Sequence, residues 1–336
     1  MAIENISTIT ADRLRQYELF SDETISAIAG FARKQARYKT YQDFFNDMGM
    51  PKPNYFIAKN GAGVPFVKIS PTIKPLGTIV LHLPMANPLD ENQLYHIATV
   101  VGTNPGYQVI AFGNPSGKPY SYKQQNLSLW QKVSIALTNK MKPLVAAELE
   151  YLQAQGVTQA HYVGYSYGAH KAMIESYYSE PASVKSITLI DPVAHPRGFK
   201  QLVHDFKNTF HPMGEYVNQT GLQTYFDARA AAAKTKHHDR ALTRPINIAI
   251  GVILRRVDFI KMLEKVLKRQ PGISATVAWG TESELTNDAH LKVSMHRLKY
   301  DSKQNVHPLR IKAGKHALGN DVYLYAAIIR QALSLT

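Results

Sequence analysis

The first fifty residues place apolar side chains three and four positions apart, which is the spacing of one helix face. This spacing predicts helices over residues 11–20, 22–38 and 41–48, and Ser21 stands where a side-chain cap for the second helix is expected. Pro51 and Pro53 end the helical pattern, because proline offers no backbone N–H. Residues 54–59 and 64–70 then alternate as two strands around an Asn-Gly-Ala-Gly loop, which predicts a hairpin.

From residue 77 onward, short apolar runs alternate with helical stretches. Strands are predicted over residues 78–83, 108–112, 160–163, 186–190, 275–279 and 307–311, and helices over 91–101, 127–155, 168–179 and 322–335. This alternation is typical of a mostly parallel sheet with helices on both faces. The predicted fold class is therefore α/β.

One connection interrupts this alternation. Residues 192–274, between two predicted strands, are mostly helical in pattern and too many for a simple loop in a compact domain. We therefore predict three parts: an N-terminal helical extension (1–53), a core (54–195 and 271–336) and a helical cap inserted at 196–270. The extension is expected to pack on the core, to mediate oligomerisation or to dock a partner, and the sequence leaves these three alternatives open.

The charge of the chain is concentrated in the predicted cap. The whole chain has 39 Lys and Arg against 25 Asp and Glu, a net charge of +14, and residues 196–270 hold 14 of the basic and 6 of the acidic residues. A basic surface raises encounter rates with acidic partners, so an anionic or surface-bound substrate is one interpretation, and a solvated helical face is the other. No nucleic-acid-binding module is recognisable, so specific nucleic-acid binding is not expected.

The composition also excludes some chemistry. The chain contains no cysteine, which rules out disulfides, thiol nucleophiles and cysteine-based zinc or iron–sulfur sites, and nothing in the sequence indicates a metal or an organic cofactor. The N-terminus has an early acid, Glu4, and no apolar core of a secretory signal. The longest apolar stretch, 246–254, is much shorter than the roughly 20 residues of a membrane span. A soluble protein, cytoplasmic or otherwise, is therefore expected.

The sequence Gly-Tyr-Ser-Tyr-Gly at residues 164–168 fits the pattern G-x-S-x-G. It directly follows a predicted strand and directly precedes a predicted helix, which is the strand–turn–helix setting that a nucleophilic serine in this pattern requires. The turn is tight, and Gly164 and Gly168 avoid a Cβ that would crowd the neighbouring strand and helix. The N-terminus of the helix favours developing negative charge. We therefore predict Ser166 as a nucleophile.

On these residues the chain resembles the α/β-hydrolase superfamily over about residues 55–336. In that family the chain order is nucleophile, acid, histidine, so the resemblance implies a general base late in the sequence. Of the four histidines after residue 280, His316 fits best: it follows a predicted strand and Gly314, and a predicted helix comes after it. A histidine on such a loop can accept the proton of the serine.

The third member of the triad departs from the family pattern. The family usually places its acid after the penultimate strand in a form similar to W-G-x-x-D, but the corresponding residue here is Ser283. A one-residue shift in the turn makes Glu284 the favoured acid, with Glu282 the least favoured of three candidates. The second candidate, Asp191, ends the strand that follows the nucleophile helix, a position similar to that of the acid in pancreatic-type lipases.

The resemblance also implies an oxyanion hole. One N–H comes from the residue after the nucleophile, here Tyr167, and the other from the loop after the third strand. In that loop Pro84 has no N–H, so we assign the second donor to Met85, with Leu83 as the next choice.

A serine paired with histidine supports acyl transfer through a covalent acyl-enzyme. Dehalogenases and epoxide hydrolases of the superfamily use aspartate where this chain has Ser166. The resemblance therefore implies a carboxylic ester or thioester hydrolase, similar to esterases and lipases, acting on a small-molecule or lipid-like acyl substrate. Two alternatives remain: an acyltransferase with the same triad, and a non-catalytic binding protein with this fold.

Overall fold

The computed structural model describes residues 3–61, 63–84, 89–113, 142–194 and 258–336. Its centre is an eight-stranded sheet with the strand order β1-β2-β4-β3-β5-β6-β7-β8. The strands are β1 (Asn54–Ile57), β2 (Gly63–Ile69), β3 (Gly77–His82), β4 (Tyr107–Phe112), β5 (Ala160–Tyr165), β6 (Val184–Ile190), β7 (Ser274–Gly280) and β8 (Val306–Ile311).

The hairpin β1–β2 is antiparallel, β2 pairs antiparallel with β4, and every pair from β4 to β8 is parallel. Each predicted strand is present, and its ends lie within two residues of the prediction. Because the six parallel strands run the same way, their carboxyl ends meet at one edge of the sheet, where ligands bind in open α/β folds.

In the described part, three helices precede the sheet, and from β3 onward strands and helices alternate. The helices are α1 (Ile3–Arg15), α2 (Asp22–Gln35), α3 (Tyr41–Asp47), α4 (Glu91–Thr103), α5 (Lys142–Ala154), α6 (Tyr167–Tyr178), α7 (Phe259–Arg269), α8 (Asp288–His296) and α9 (Val322–Leu333). The prediction of a helix over 11–20 was wrong in its placement: α1 spans residues 3–15, and Glu18 lies in a turn at φ 55°. Of the helix predicted over 127–155, residues 127–141 lie outside the described part.

The helices form a layer on each face of the sheet. On one face, α4 and α9 share a hydrophobic core with α1, α2 and α3, so the N-terminal helices pack on the core. Polar contacts support this packing: Arg13 forms an ion pair with Asp321 (Nη2–Oδ2, 2.5 Å), and Tyr323 donates its hydroxyl proton to Gln35 (2.7 Å). On the other face, α5, α6, α7 and α8 cover a second core.

Most of the predicted cap lies outside the described residues, which resume at 258. The last residues of that predicted segment form α7, where Asp258 caps the helix and Leu263 and Val266 are fully buried beside α6. The lysines at positions 261, 265 and 268 lie on the exposed side of this helix. Helix α7, the last part of the predicted segment, therefore packs in the helix layer of the core. The cap over 196–270 stays a prediction.

Candidate active site

Ser166 lies on the turn between β5 and α6, at the carboxyl edge of the sheet. Its backbone has φ 55° and ψ −119°, a conformation that costs free energy for a residue with a side chain. Two backbone hydrogen bonds hold this conformation: Ser166 donates its N–H to Ile190 (2.8 Å), and its carbonyl accepts from Ala169 (3.0 Å). The strained turn that the G-x-S-x-G pattern predicts is therefore present at this serine.

The two glycines of this turn have steric reasons to be glycine. A Cβ on Gly164 would lie 2.0 Å from the carbonyl oxygen of Gly168, and a Cβ on Gly168 would lie 2.1 Å from that of His82. Both neighbours are backbone atoms, which cannot move aside as a side chain can. The close approach of β3, β5 and α6 thus depends on the absence of a side chain at both positions.

His316 begins a short 3₁₀ helix, His316–Asn320, that follows β8. Its Nε2 lies 2.9 Å from the Oγ of Ser166, and the imidazole is almost fully buried. Tyr165, the residue before the nucleophile, donates its hydroxyl proton to the carbonyl oxygen of His316 (2.5 Å). The serine and histidine chosen from the sequence are therefore in hydrogen-bond contact, although 150 positions separate them in the chain.

Asp191 occupies the other side of the imidazole. Its Oδ2 lies 2.5 Å from His316 Nδ1 and also accepts a hydrogen bond from the hydroxyl of Ser283 (2.6 Å). Its Oδ1 accepts from the backbone N–H of Gly280 (2.9 Å). The carboxylate has no solvent exposure, and its backbone is at φ 39°. Three donors thus fix a fully buried carboxylate against the histidine.

Of the three candidate acids, only Asp191 contacts a ring nitrogen of His316. Glu284, the favoured acid, accepts a hydrogen bond from the backbone N–H of His316 (3.1 Å) and does not contact the ring nitrogen that Asp191 occupies. Glu282 is exposed. Ser283, which stands in the sequence where the family pattern has its acid, donates a hydrogen bond to Asp191.

Of the two predicted oxyanion donors, only Tyr167 belongs to the described residues. Tyr167 is the first residue of α6, and the first N–H groups of a helix have no partner within it. Met85 lies outside the described residues, whereas Leu83 and Pro84 line a small cavity beside Tyr165. The cavity is also lined by Asn320, close to His316 in the chain, but Ser166 and His316 are not among the residues that line it.

A second group of buried polar residues, which the sequence did not predict, includes two residues of the helix that follows Ser166. It consists of His82 at the end of β3, Glu148 in α5, and Lys171 and Glu175 one turn apart in α6; we call it the His82 cluster. All four side chains are buried to at least 99%. No spacing rule connects these positions, because they come from three separate elements.

The contacts inside the His82 cluster are short. Glu175 Oε2 lies 2.5 Å from His82 Nε2, Glu148 Oε2 lies 3.7 Å from His82 Nδ1, and the ammonium of Lys171 contacts Glu148 Oε1. Burial lowers the pKa of His82 to about 3 and raises that of Glu175 to about 8, because both charged forms lose their solvation. Burial also raises the pKa of Glu148, and the nearby Lys171 opposes that rise.

Comparison with known proteins supports the fold. The sequence matches no family model and no curated relative. Among solved structures, the chain is similar to MGS-M2, an α/β-hydrolase enzyme from a Medee basin deep-sea metagenome library (TM-score 0.57, 14% identity, 84% of this chain and 98% of that one). It is also similar to a bacterial membrane phospholipase A (0.55, 16%, 87% and 89%) and to the enol-lactonase of Burkholderia xenovorans LB400 (0.55, 11%, 84% and 100%).

These likenesses, together with the sheet order, show that the chain has the α/β-hydrolase fold, and the resemblance stated from the sequence is confirmed at that level. Within the described residues, no helix is long and apolar enough to cross a membrane.

Proposed function

We propose that the chain is a serine hydrolase that acts by acyl transfer, with Ser166 as nucleophile, His316 as general base and Asp191 as the acid that orients it. The observation that carries this proposal is the continuous chain of contacts from Ser166 Oγ to His316 Nε2 (2.9 Å) and from His316 Nδ1 to Asp191 Oδ2 (2.5 Å). A base within hydrogen-bond reach of the nucleophile, itself oriented by a third group, is the arrangement that activates a hydroxyl.

In the first step, Ser166 Oγ attacks the carbonyl carbon of the substrate while its proton passes to His316 Nε2. The carbonyl oxygen becomes an oxyanion, which the backbone N–H of Tyr167 and the positive end of α6 stabilise. Asp191 holds the imidazole in the tautomer with its proton on Nδ1 and stabilises the imidazolium that forms.

In the second step, the tetrahedral intermediate collapses and the leaving alcohol or thiol takes the proton from His316, which leaves the acyl group on Ser166 Oγ. Water then attacks the acyl carbon and gives a proton to His316. Collapse of this second intermediate releases the carboxylic acid and returns the proton to Ser166. Each half-reaction begins and ends with a neutral imidazole, so the site is regenerated.

We infer a carboxylic ester or thioester as the substrate class. Alcohols and thiols are leaving groups that an imidazolium can protonate within this site. The solved neighbours named as a phospholipase A and an enol-lactonase, and a further neighbour named as a thioesterase domain, support this class.

The test is the intact mass after treatment with a fluorophosphonate. We expect one adduct on the wild-type protein and none on Ser166→Ala. The chain supplies a matched control, because Ser186 also contacts a histidine: its Oγ lies 2.8 Å from His161 Nδ1, in a buried pair that has no contact with Asp191. Ser186→Ala should therefore keep the adduct. A folded wild-type protein that takes up no reagent would contradict the proposal.

Product analysis then separates a hydrolase from an acyltransferase. With a p-nitrophenyl ester as substrate, a hydrolase releases free carboxylic acid whether or not an alcohol is added. Predominant transfer of the acyl group to millimolar added alcohol would assign the same site to an acyltransferase instead.

A further inference from the structure

The His82 cluster takes no part in the proposed reaction, and its polar atoms are poorly satisfied. Five of them are buried and have no hydrogen-bond partner: both ring nitrogens of His82, Oε2 of Glu148 and both carboxylate oxygens of Glu175. The 2.5 Å contact between His82 and Glu175 thus lacks the alignment of a hydrogen bond. Since most buried polar groups in proteins are paired, five orphan atoms in one place indicate that a further group belongs there.

The atoms involved are donors for a metal ion. One nitrogen of His82 and one oxygen each of Glu148 and Glu175 all lie within 4.8 Å of one another. A zinc ion about 2.0–2.2 Å from imidazole nitrogen and carboxylate oxygen would hold such donors roughly 3–4 Å apart. Because neither oxygen of Glu175 has a hydrogen-bond partner, this carboxylate can bind through both, which brings the donor atoms to the four that a closed site needs.

The charges of the cluster favour the same ligand. Two carboxylates face one ammonium group, and Lys171 contacts only Oε1 of Glu148, which leaves Oε2 directed toward His82. Lys171 is thus placed as an outer partner that orients a ligating carboxylate.

We propose that His82, Glu148 and Glu175 bind one divalent metal ion of the zinc type, and that this site is structural. It does not depend on the proposed hydrolase function. The ion would connect β3, α5 and α6, and so hold the helix that begins after Ser166 against the strand that leads into the oxyanion loop. Because the three ligands have no solvent exposure, the ion binds during folding and exchanges slowly afterwards.

The first test is metal content. Wild-type protein purified from zinc-supplemented cultures is analysed for zinc, manganese, iron and cobalt, and we expect about one equivalent of zinc per chain. Glu175→Gln replaces one proposed ligand by a side chain of the same size and should reduce the zinc content at least tenfold. His170→Gln is the matched control: His170 is equally buried on the same helix, but its ring contacts the carbonyl of Val193 outside the cluster, so metal content should stay at the wild-type value.

The second test uses the wild-type chain alone, in case a variant fails to fold. The protein is unfolded in guanidinium with a chelator, then refolded either with ZnCl₂ or with chelator still present. We expect refolding with ZnCl₂ to raise the Tm by about 5 °C or more. Wild-type protein that carries no metal and has the same Tm after both treatments would overturn the proposal, and the cluster would then be a buried ion-pair network with a retained proton. Fluorophosphonate labelling of Ser166 reports on the hydrolase proposal separately.

Discussion

Helix α6 lies beside two groups of polar side chains, which differ in how many of their nitrogen and oxygen atoms have a hydrogen-bond partner. At its start, the proposed triad of Ser166, His316 and Asp191 leaves no side-chain nitrogen or oxygen without a partner. One turn further along, the His82 cluster contains five buried atoms without a hydrogen bond. A fully paired network is preorganised and can move a proton without rearrangement, whereas an unpaired one needs another group to become stable.

The two assemblies also differ in what holds them in place. The proposed triad is assembled on three connections at the carboxyl edge of the sheet, and backbone strain at Ser166 and Asp191 is offset by hydrogen bonds to neighbouring strands. The His82 cluster is built on one strand end and two helices inside the helix layer. Substitutions in the first should therefore change the reaction rate, and those in the second the free energy of unfolding.

The largest expected effect is on the reaction rate, when the proposed general base is removed. His316→Ala removes the only imidazole that contacts Ser166 among the described residues, and kcat should fall about 10⁴–10⁶-fold. The free energy of unfolding should change little by comparison with this loss. Steady-state hydrolysis of a p-nitrophenyl ester measures the rate, and thermal unfolding checks the fold. Retention of a tenth or more of the wild-type kcat would exclude His316 as the base.

The second largest expected effect, also on kcat, distinguishes Asp191 from Glu284 as the acid that orients the base. Asp191→Asn keeps the shape but leaves the imidazole in the wrong tautomer, so kcat should fall about 10⁴-fold. Glu284→Gln keeps an oxygen acceptor for the backbone N–H of His316 and should lower kcat less than tenfold. Both variants are assayed with the same ester. A larger fall in kcat for Glu284→Gln than for Asp191→Asn would identify Glu284 as the acid.

In the His82 cluster the expected effect is on stability. Glu148→Gln removes the carboxylate that Lys171 contacts and leaves a buried ammonium without a counter-charge, which should cost about 3–5 kcal/mol in the free energy of unfolding. The control is Glu264→Gln, which breaks a half-exposed pair with Arg297 and should cost at most about 1 kcal/mol. Denaturant unfolding measures both. Equal effects from the two substitutions would show that the buried pair is not a distinct source of stability.

The same contrast explains which parts of the molecule the sequence predicts. Strands and the nucleophile turn depend on residues close together in the chain, so the apolar runs and G-x-S-x-G were sufficient to locate them. His316 also carries a local signal, since it follows a strand and Gly314 and precedes a helix. Local patterns of this kind can be recognised in the sequence without any knowledge of the tertiary structure.

The acid and the His82 cluster carry no such local signal. Choosing Asp191 over Glu284 requires the pairing of β6 with β7, which brings Asp191 beside Gly280 and Ser283. The cluster joins positions 82, 148, 171 and 175, of which only the last two share a helix face. Contacts between distant parts of the chain become visible only once the register of the sheet and the packing of its helices are known.

The smallest expected effect tests whether the complete pairing of the triad contributes to its activity. Ser283→Ala removes one of the three donors to Asp191, a hydrogen bond to a charged acceptor that is worth about 1.5–3 kcal/mol. With one donor fewer, the carboxylate is held less firmly against the imidazole, so the orientation of the proposed base is less well fixed. We therefore expect kcat/KM for a p-nitrophenyl ester at neutral pH to fall about tenfold. Ser186→Ala, at a buried serine that contacts His161 instead, should leave kcat/KM unchanged. An unchanged kcat/KM in Ser283→Ala would show that this hydroxyl supports the turn after β7 and does not contribute to the activity of the site.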